Sequence, residues 1–157
     1  MRKRLIKPVT AFVPPADAEY LDLDRVASVA VTSEEKDYGI ESALVSAETR
    51  GWLADTPGPQ TIRIIFDEPQ RLRRISLIFE EKEVSRTQEF VLRWSLDNGQ
   101  SFREIVRQQW NFSPPETIRE VQEYQVELSG VTVLELMIVP DIGRGKCCAS
   151  LKSLRLS

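Results

Sequence analysis

The chain is 157 residues long, which is room for one ordinary domain rather than two. It is 41% hydrophobic and 29% charged, the balance of a globular protein and not of a disordered, collagen-like or disulfide-dense one. It contains no His, which excludes Ser-His-Asp and Cys-His nucleophile systems and His-bearing zinc sites, and its net charge of −3 gives no general attraction to nucleic acid or to an anionic membrane.

The chain opens with Met1-Arg2-Lys3-Arg4, the positive start of a secretory leader, but the apolar stretch stops after Leu5-Ile6 at Lys7-Pro8. No window approaches the roughly 18 apolar residues of a membrane span. The two cysteines, Cys147 and Cys148, are neighbours and cannot join distant parts of the chain. They read as reduced thiols, one facing inward and one outward, with a redox or thiophilic-metal role as the alternative. A cytoplasmic location is expected from both features.

Residues 1–25 carry Pro8, Pro14 and Pro15 and little periodicity, so they are expected to form an extended arm packed on a domain spanning 26–157. Val26 to Val31 is the first strand-like run. Ile40, Leu44 and Ala47 fall on one side of a short helical turn over 40–47. Ile62, Ile64 and Phe66 alternate along one strand, and Ile75, Leu77 and Phe79 along another. Phe90, Leu92, Trp94 and Leu96 are expected inward, with Val91, Arg93 and Ser95 outward. Asp97-Asn98-Gly99 is a turn signal, because Asn and Gly tolerate positive φ. In Phe102 to Phe112, Ile105 and Val106 cannot both face inward without a bulge. Tyr124, Val126 and Leu128 form the next inward set, ended by Gly130. Val131 to Val139 is nearly continuous apolar, the mark of a central strand. Ala149 to Leu156 closes the chain. Short strands, regular turn signals and one helical turn make the fold class all-β, an antiparallel β-sandwich of about eight strands.

The order of motifs carries more than the class. Ala27-Ser28-Val29 and the turn Ile40-Glu41-Ser42-Ala43-Leu44 come first, then Thr49-Arg50-Gly51-Trp52 and a strand ending Ile64-Ile65-Phe66-Asp67-Glu68-Pro69. Ile75-Ser76-Leu77, the run from Phe90 through Trp94 to Phe102, Tyr124-Gln125-Val126-Glu127-Leu128 and Ala149 to Leu156 follow. In that order the chain from Val26 onward resembles the galactose-binding-like jelly roll of discoidin and coagulation-factor type C domains. It is also similar to the N-terminal domain of a DNA single-strand-break repair scaffold. The resemblance implies a sandwich whose ligands meet the loops at one end, in a family that binds sugars, phospholipid head groups, proteins or nicked DNA and is rarely catalytic. Two departures argue against calcium. The stretch Val45-Ser46-Ala47-Glu48 lacks the family's Asp-Gly pair, and Ser153 stands where many relatives have a Glu.

Five residues are the candidates for ligand binding: Arg50, Trp52, Trp110, Arg144 and Lys146. Trp52 either offers a flat face to a sugar ring or plugs one end of the sandwich, with Arg50 the donor beside it. Trp110 precedes Ser113-Pro114-Pro115 and is either a stacking face or a half-buried rim residue. In Asp141-Ile142-Gly143-Arg144-Gly145-Lys146 two glycines allow close approach and two cations flank them. In the inferred fold this loop lies near Arg50 and Trp52 and makes a small basic pocket, unless it is only a solvated connection. Arg71, Arg73 and Arg74, with Glu80, Glu81 and Glu83 beyond the next strand, read as solvated edges. Asp97 reads as a turn former. The Asp and Glu residues sit mostly in turns and on outward positions, so no catalytic residue, metal or cofactor is assigned. The expected function is a non-catalytic module that binds carbohydrate or another polyhydroxyl compound. The alternative is an interaction or scaffold domain, which requires an apolar patch around Ile65, Ile78 and Val91. Nucleic acid ranks third, since the charges are interleaved rather than striped.

Overall fold

The computed structural model describes residues 20–45, 50–143 and 145–157. Residues 1–19 of the arm, Ala47, the stretch 46–48 and Arg144 lie outside the described residues. Among the described residues there are eight strands and two one-turn helices: α1 Leu23–Val26, β1 Ala27–Val31, α2 Glu41–Leu44, β2 Trp52–Pro57, β3 Gln60–Glu80, β4 Arg86–Ser95, β5 Arg103–Phe112, β6 Arg119–Val139, β7 Cys148–Leu151 and β8 Ser153–Leu156. No helix among them is long and apolar enough to cross a membrane.

β3 and β6 organise the sandwich. The two stretches expected as separate strands, around Ile64 and around Leu77, are one strand of 21 residues, and β6 likewise runs 21 residues straight through Gly130. Each serves both layers. The first half of β3 and the second half of β6 sit inside a five-stranded arrangement, β1-β3-β6-β4-β5. The other halves pair with each other, and β3 also takes β8. Between them the register slips at Ile65, Gln70, Leu72 and Arg74. There Gly130 adopts φ 74°, a conformation glycine takes at no steric cost. The second half of β3 folds over β4, which it does not pair with: the rings of Phe79 and Phe90 lie 5.2 Å apart.

The inward set is the alternating one. Ile62, Ile64, Phe66, Ile75, Leu77, Phe79, Phe90, Leu92 and Trp94 are all buried in one core with Leu134, Leu136 and Ile138. The central position of β6, between β3 and β4, explains its unbroken apolar run: Val131 through Leu136 are buried on both faces. The bulge in β5 is present, since Leu92 faces Val106 and Arg93 faces Glu104, leaving Ile105 unpaired. Asn98 and Gly99 both take positive φ, 61° and 88°. Asp97 holds the turn by accepting from the Ser101 and Ser95 hydroxyls and the Ser101 N–H, which lower its carboxyl to about 2.

Three expectations are corrected. Leu96 lies past the end of β4 and is exposed, because the strand stops at Ser95. Val91, expected outward and open, is 6% exposed. Ile65 is exposed on the outer face of the five-stranded layer, while Ile78 is half-buried on the outer face of the other, so the three form no contiguous patch. The last residues of the expected arm form α1, with Leu23 in the core, and Leu21 N–H donates to the Leu156 carbonyl. The helical turn is α2, with Ile40, Ala43 and Leu44 buried.

One charged side chain is buried on an outer face. Glu135 is 1% exposed, and its partners on the same rung are Arg63 of β3 and Arg93 of β4. Arg63 Nε donates to Oε2 at 2.8 Å and Arg93 Nε to Oε1 at 2.6 Å. The Phe102 ring covers the Arg93 guanidinium at 4.1 Å.

Candidate functional site

The doubling back of β3 and β6 brings distant segments to one end of the sandwich. Gly58, just before β3, donates its N–H to the Cys147 carbonyl, and the Ser150 hydroxyl donates to the carbonyl of Glu80 at the far end of β3. At this end a cleft of about 310 Å³ opens between three walls. Arg50, Trp52 and Leu53 come from the start of β2. Glu80 to Glu83 come from the segment leaving β3. Cys148, Ser150, Leu151 and Lys152 come from β7 and the residue after it.

Local sequence explains each wall. β2 pairs antiparallel with β7, Trp52 opposite Leu151 and Leu53 opposite Ser150. Gly51 enters that pair at φ 79°, and a Cβ there would sit 2.7 Å from the Leu151 carbonyl oxygen. Only glycine lets Arg50 approach β7 so closely. Trp52 then turns into the core at 1% exposure, and its Nε1 donates to the Ser33 carbonyl at 2.9 Å. Its ring is floor, not platform.

The 81–86 segment is held from beneath. Arg86 has no exposed side-chain surface; its Nε donates to Glu81 Oε1 at 2.8 Å and its Nη1 to the Pro140 carbonyl at 2.8 Å. The guanidinium lies 4.8 Å from the Phe112 ring centre. Glu81 Oε2 accepts the N–H groups of Glu83 and Val84. Burial would raise the Glu81 carboxyl, but the hydrogen bonds from Arg86, Glu83 and Val84 outweigh it and hold the group below the ordinary 4.5. The same environment acts on Cys147, whose thiol burial pushes up, with the charge of Arg86 opposing and Asp141, Glu81 and Cys148 adding. Both cysteines are free and half-buried, and Cys148 packs against the core.

Of the five candidate residues, Arg50 and Trp52 line the cleft together. Lys146 is exposed on the loop into β7, at the same end but outside the lining. Arg144 lies outside the described residues. Trp110 points inward from β5, half-buried against the core, away from the cleft; its Nε1 is buried with no partner among the described residues. The cleft is of mixed sign: one wall carries Glu80, Glu81 and Glu83 with Lys82 among them, and Arg50 and Lys152 come from the other segments. The glutamates that the charge pattern places at a solvated edge are one of its walls. Their spacing after Phe79 was the available signal, but only the return of β7 to this strand end gives it meaning. Among the described residues no three His, Cys, Asp or Glu side chains are grouped to hold a metal ion.

No family model matches the chain, and no curated protein matches it in sequence. Solved structures match its fold. A family 32 carbohydrate-binding module from Clostridium perfringens NanJ, solved with galactose, superposes with a TM-score of 0.61 at 15% identity, covering 87% of this chain and 96% of that one. A family 32 module from a family 31 glycoside hydrolase of Clostridium perfringens gives 0.63 at 19% identity, over 92% of this chain and 98% of that one. A Ruminococcus gnavus family 29 fucosidase, solved with fucose, gives 0.66 at 10% identity, and there the match spans 26% of the longer chain. The chain has the galactose-binding-like jelly-roll fold of these modules, as the motif order implies.

Proposed function

We propose that this chain is a non-catalytic carbohydrate-binding module that takes its ligand in the cleft framed by β2, β7 and the 80–86 segment. The observation that carries the reading is the cleft itself: a concave site of about 310 Å³ at the strand ends of a sandwich, lined by hydrogen-bonding side chains from three segments. Its fold is shared with modules solved in complex with sugars, which supports the ligand class. The free thiols of Cys147 and Cys148 support a reducing, cytoplasmic setting as part of the same proposal.

The test is an immobilised-glycan array followed by titration of each hit against the native chain and Ser150→Trp, which fills the cleft from its β7 wall. Binding to a defined glycan, with Ser150→Trp folded but silent, is the expected result. A ligand at about a hundred times its dissociation constant also stabilises the native chain by roughly 2.7 kcal/mol. Binding that survives Ser150→Trp, or an array with no hits, overturns the proposal.

A further inference from the structure

The fold leaves the inner face of one strand half-covered, and the chain carries a segment suited to cover it. Independently of the cleft, we infer that Val9-Thr10-Ala11-Phe12-Val13 docks in the groove between β1 and α2, with Phe12 as its anchor.

The groove is the first observation. β1 is the edge strand of its layer, paired with β3 on one side only among the described residues. Its Ala27, Val29 and Val31 stand opposite Phe66, Ile64 and Ile62 on the inward face. Those three partners are at most 6% exposed, yet the β1 set is only half-buried. Across from it α2 presents Ile40 and Leu44, followed by Val45 at 40% exposure. The hollow between them holds about 220 Å³. Small-molecule sites run to roughly 300–1,000 Å³, so this one suits an inserted side chain better than a saccharide.

The second observation is where the chain enters. The Tyr20 ring lies 4.9 Å from the Arg74 guanidinium and 5.9 Å from that of Arg155, and Leu21 N–H donates to the Leu156 carbonyl at 2.7 Å. Tyr20 and Leu21 line a hollow that shares Leu23, Leu44 and Val45 with the groove. Residues 1–19 therefore join the domain at the groove's own border. The seven steps from Val13 to Tyr20 can span roughly 23 Å, ample reach for an adjoining hollow. A segment tethered there meets the groove at an effective concentration on the order of millimolar, which a separate copy in dilute solution does not match.

Complementarity is the third. Phe12 is the one aromatic residue before Tyr20, and it sits in an uncharged apolar run preceded by Arg2, Lys3, Arg4 and Lys7. The groove is rimmed by Asp24 and Glu41, both exposed and without an ion-pair partner among the described residues, and no cation lines it. The apolar run fills the hollow while the cations before it meet an acidic rim.

The experiment maps the segment in the full chain. p-Benzoylphenylalanine replaces Phe12, the protein is irradiated in dilute solution, and the cross-linked peptides are identified by mass spectrometry. The expected products are intramolecular and join position 12 to residues 23–29 or 40–45. Hydrogen–deuterium exchange is then compared among the native chain, Phe12→Asp and Phe12→Leu. Phe12 precedes the described sandwich, so both substitutions leave its core intact. Phe12→Asp is expected to speed exchange about tenfold in peptides spanning 27–31 and 40–45 and to leave β4 unchanged, whereas Phe12→Leu stays close to native. A cross-linked dimer, cross-links to any other part of the chain, no cross-link, or exchange in those peptides that ignores Phe12→Asp overturns the inference.

Discussion

Replacing Glu135 with Leu tests the reasoning about the outer face. The native carboxylate is 1% exposed and receives both guanidinium groups, at 2.6 Å from Arg63 Nη2 and 2.5 Å from Arg93 Nη2. Removing one partner of a buried ion pair costs about 3–5 kcal/mol, because the charge left behind is uncompensated. Here the stranded charges are the two arginines, whose side chains are 44% and 33% exposed and can turn to water, so the lower end applies, about 3 kcal/mol. For a domain of this size each kcal/mol shifts the melting temperature by about 2–4 °C, which gives a fall of about 6–12 °C. Thermal and urea unfolding followed by circular dichroism measure it. The triple variant Arg63→Met/Glu135→Leu/Arg93→Met removes all three charges and is expected to recover stability to within about 1 kcal/mol of the native chain. A single variant within about 0.5 kcal/mol of native, or a triple variant less stable than the single one, refutes the argument.

Trp52→Phe keeps the core ring but strands the Ser33 carbonyl, so urea unfolding is expected to show a loss of about 1–3 kcal/mol; an unchanged midpoint contradicts the assigned hydrogen bond. Gly51→Ala places a methyl 2.7 Å from the Leu151 carbonyl oxygen at φ 79°, and its melting temperature is expected to fall by several degrees with glycan binding weakened; a stable variant with native binding contradicts the close approach. Burial raises the Glu120 carboxyl above its ordinary 4.5, with Gln122, Gln88 and the charge of Arg86 only partly opposing. The folded state then holds that proton more tightly than the unfolded chain, so this contribution is whole below pH 4.5 and lost as pH rises through the elevated value. Glu120→Gln is expected to gain on the native chain between about pH 4 and pH 7 in urea midpoints, and parallel curves overturn it.

Alternation was legible because it reports one thing, which face of a strand meets the core. Ile62, Ile64 and Phe66 could be read without knowing their partners, and so could the bulge at Ile105, since two adjacent apolar residues cannot share a face. What alternation cannot report is continuity. Asp67-Glu68-Pro69 reads as the end of a strand, yet β3 passes through it, its register slipping by steps as it changes layer. Gly130 misleads in the same way, marking a bend inside β6 rather than its end. Buried charge is also invisible to pattern. Arg93 and Glu135 look like solvent-facing residues until three strands place them on one rung. The site was half legible. Arg50 and Trp52 were found through the motif Thr49-Arg50-Gly51-Trp52, while Ser150, Lys152 and the Glu80 to Glu83 wall depend on contacts between residues about seventy positions apart.

The buried Arg86 joins the fold to the cleft. Its fork ties Glu81 on one side and the Pro140 carbonyl, just past the end of β6, on the other, so the acidic wall of the cleft is anchored inside the core to the end of a central strand. An apolar residue would fill that space at lower desolvation cost, but it would leave the 81–85 turn to water and its own entropy. Lysine would keep the charge and lose the geometry, because one ammonium cannot serve Glu81, Pro140 and the Phe112 ring together. The guanidinium therefore fixes the acidic wall before any ligand arrives.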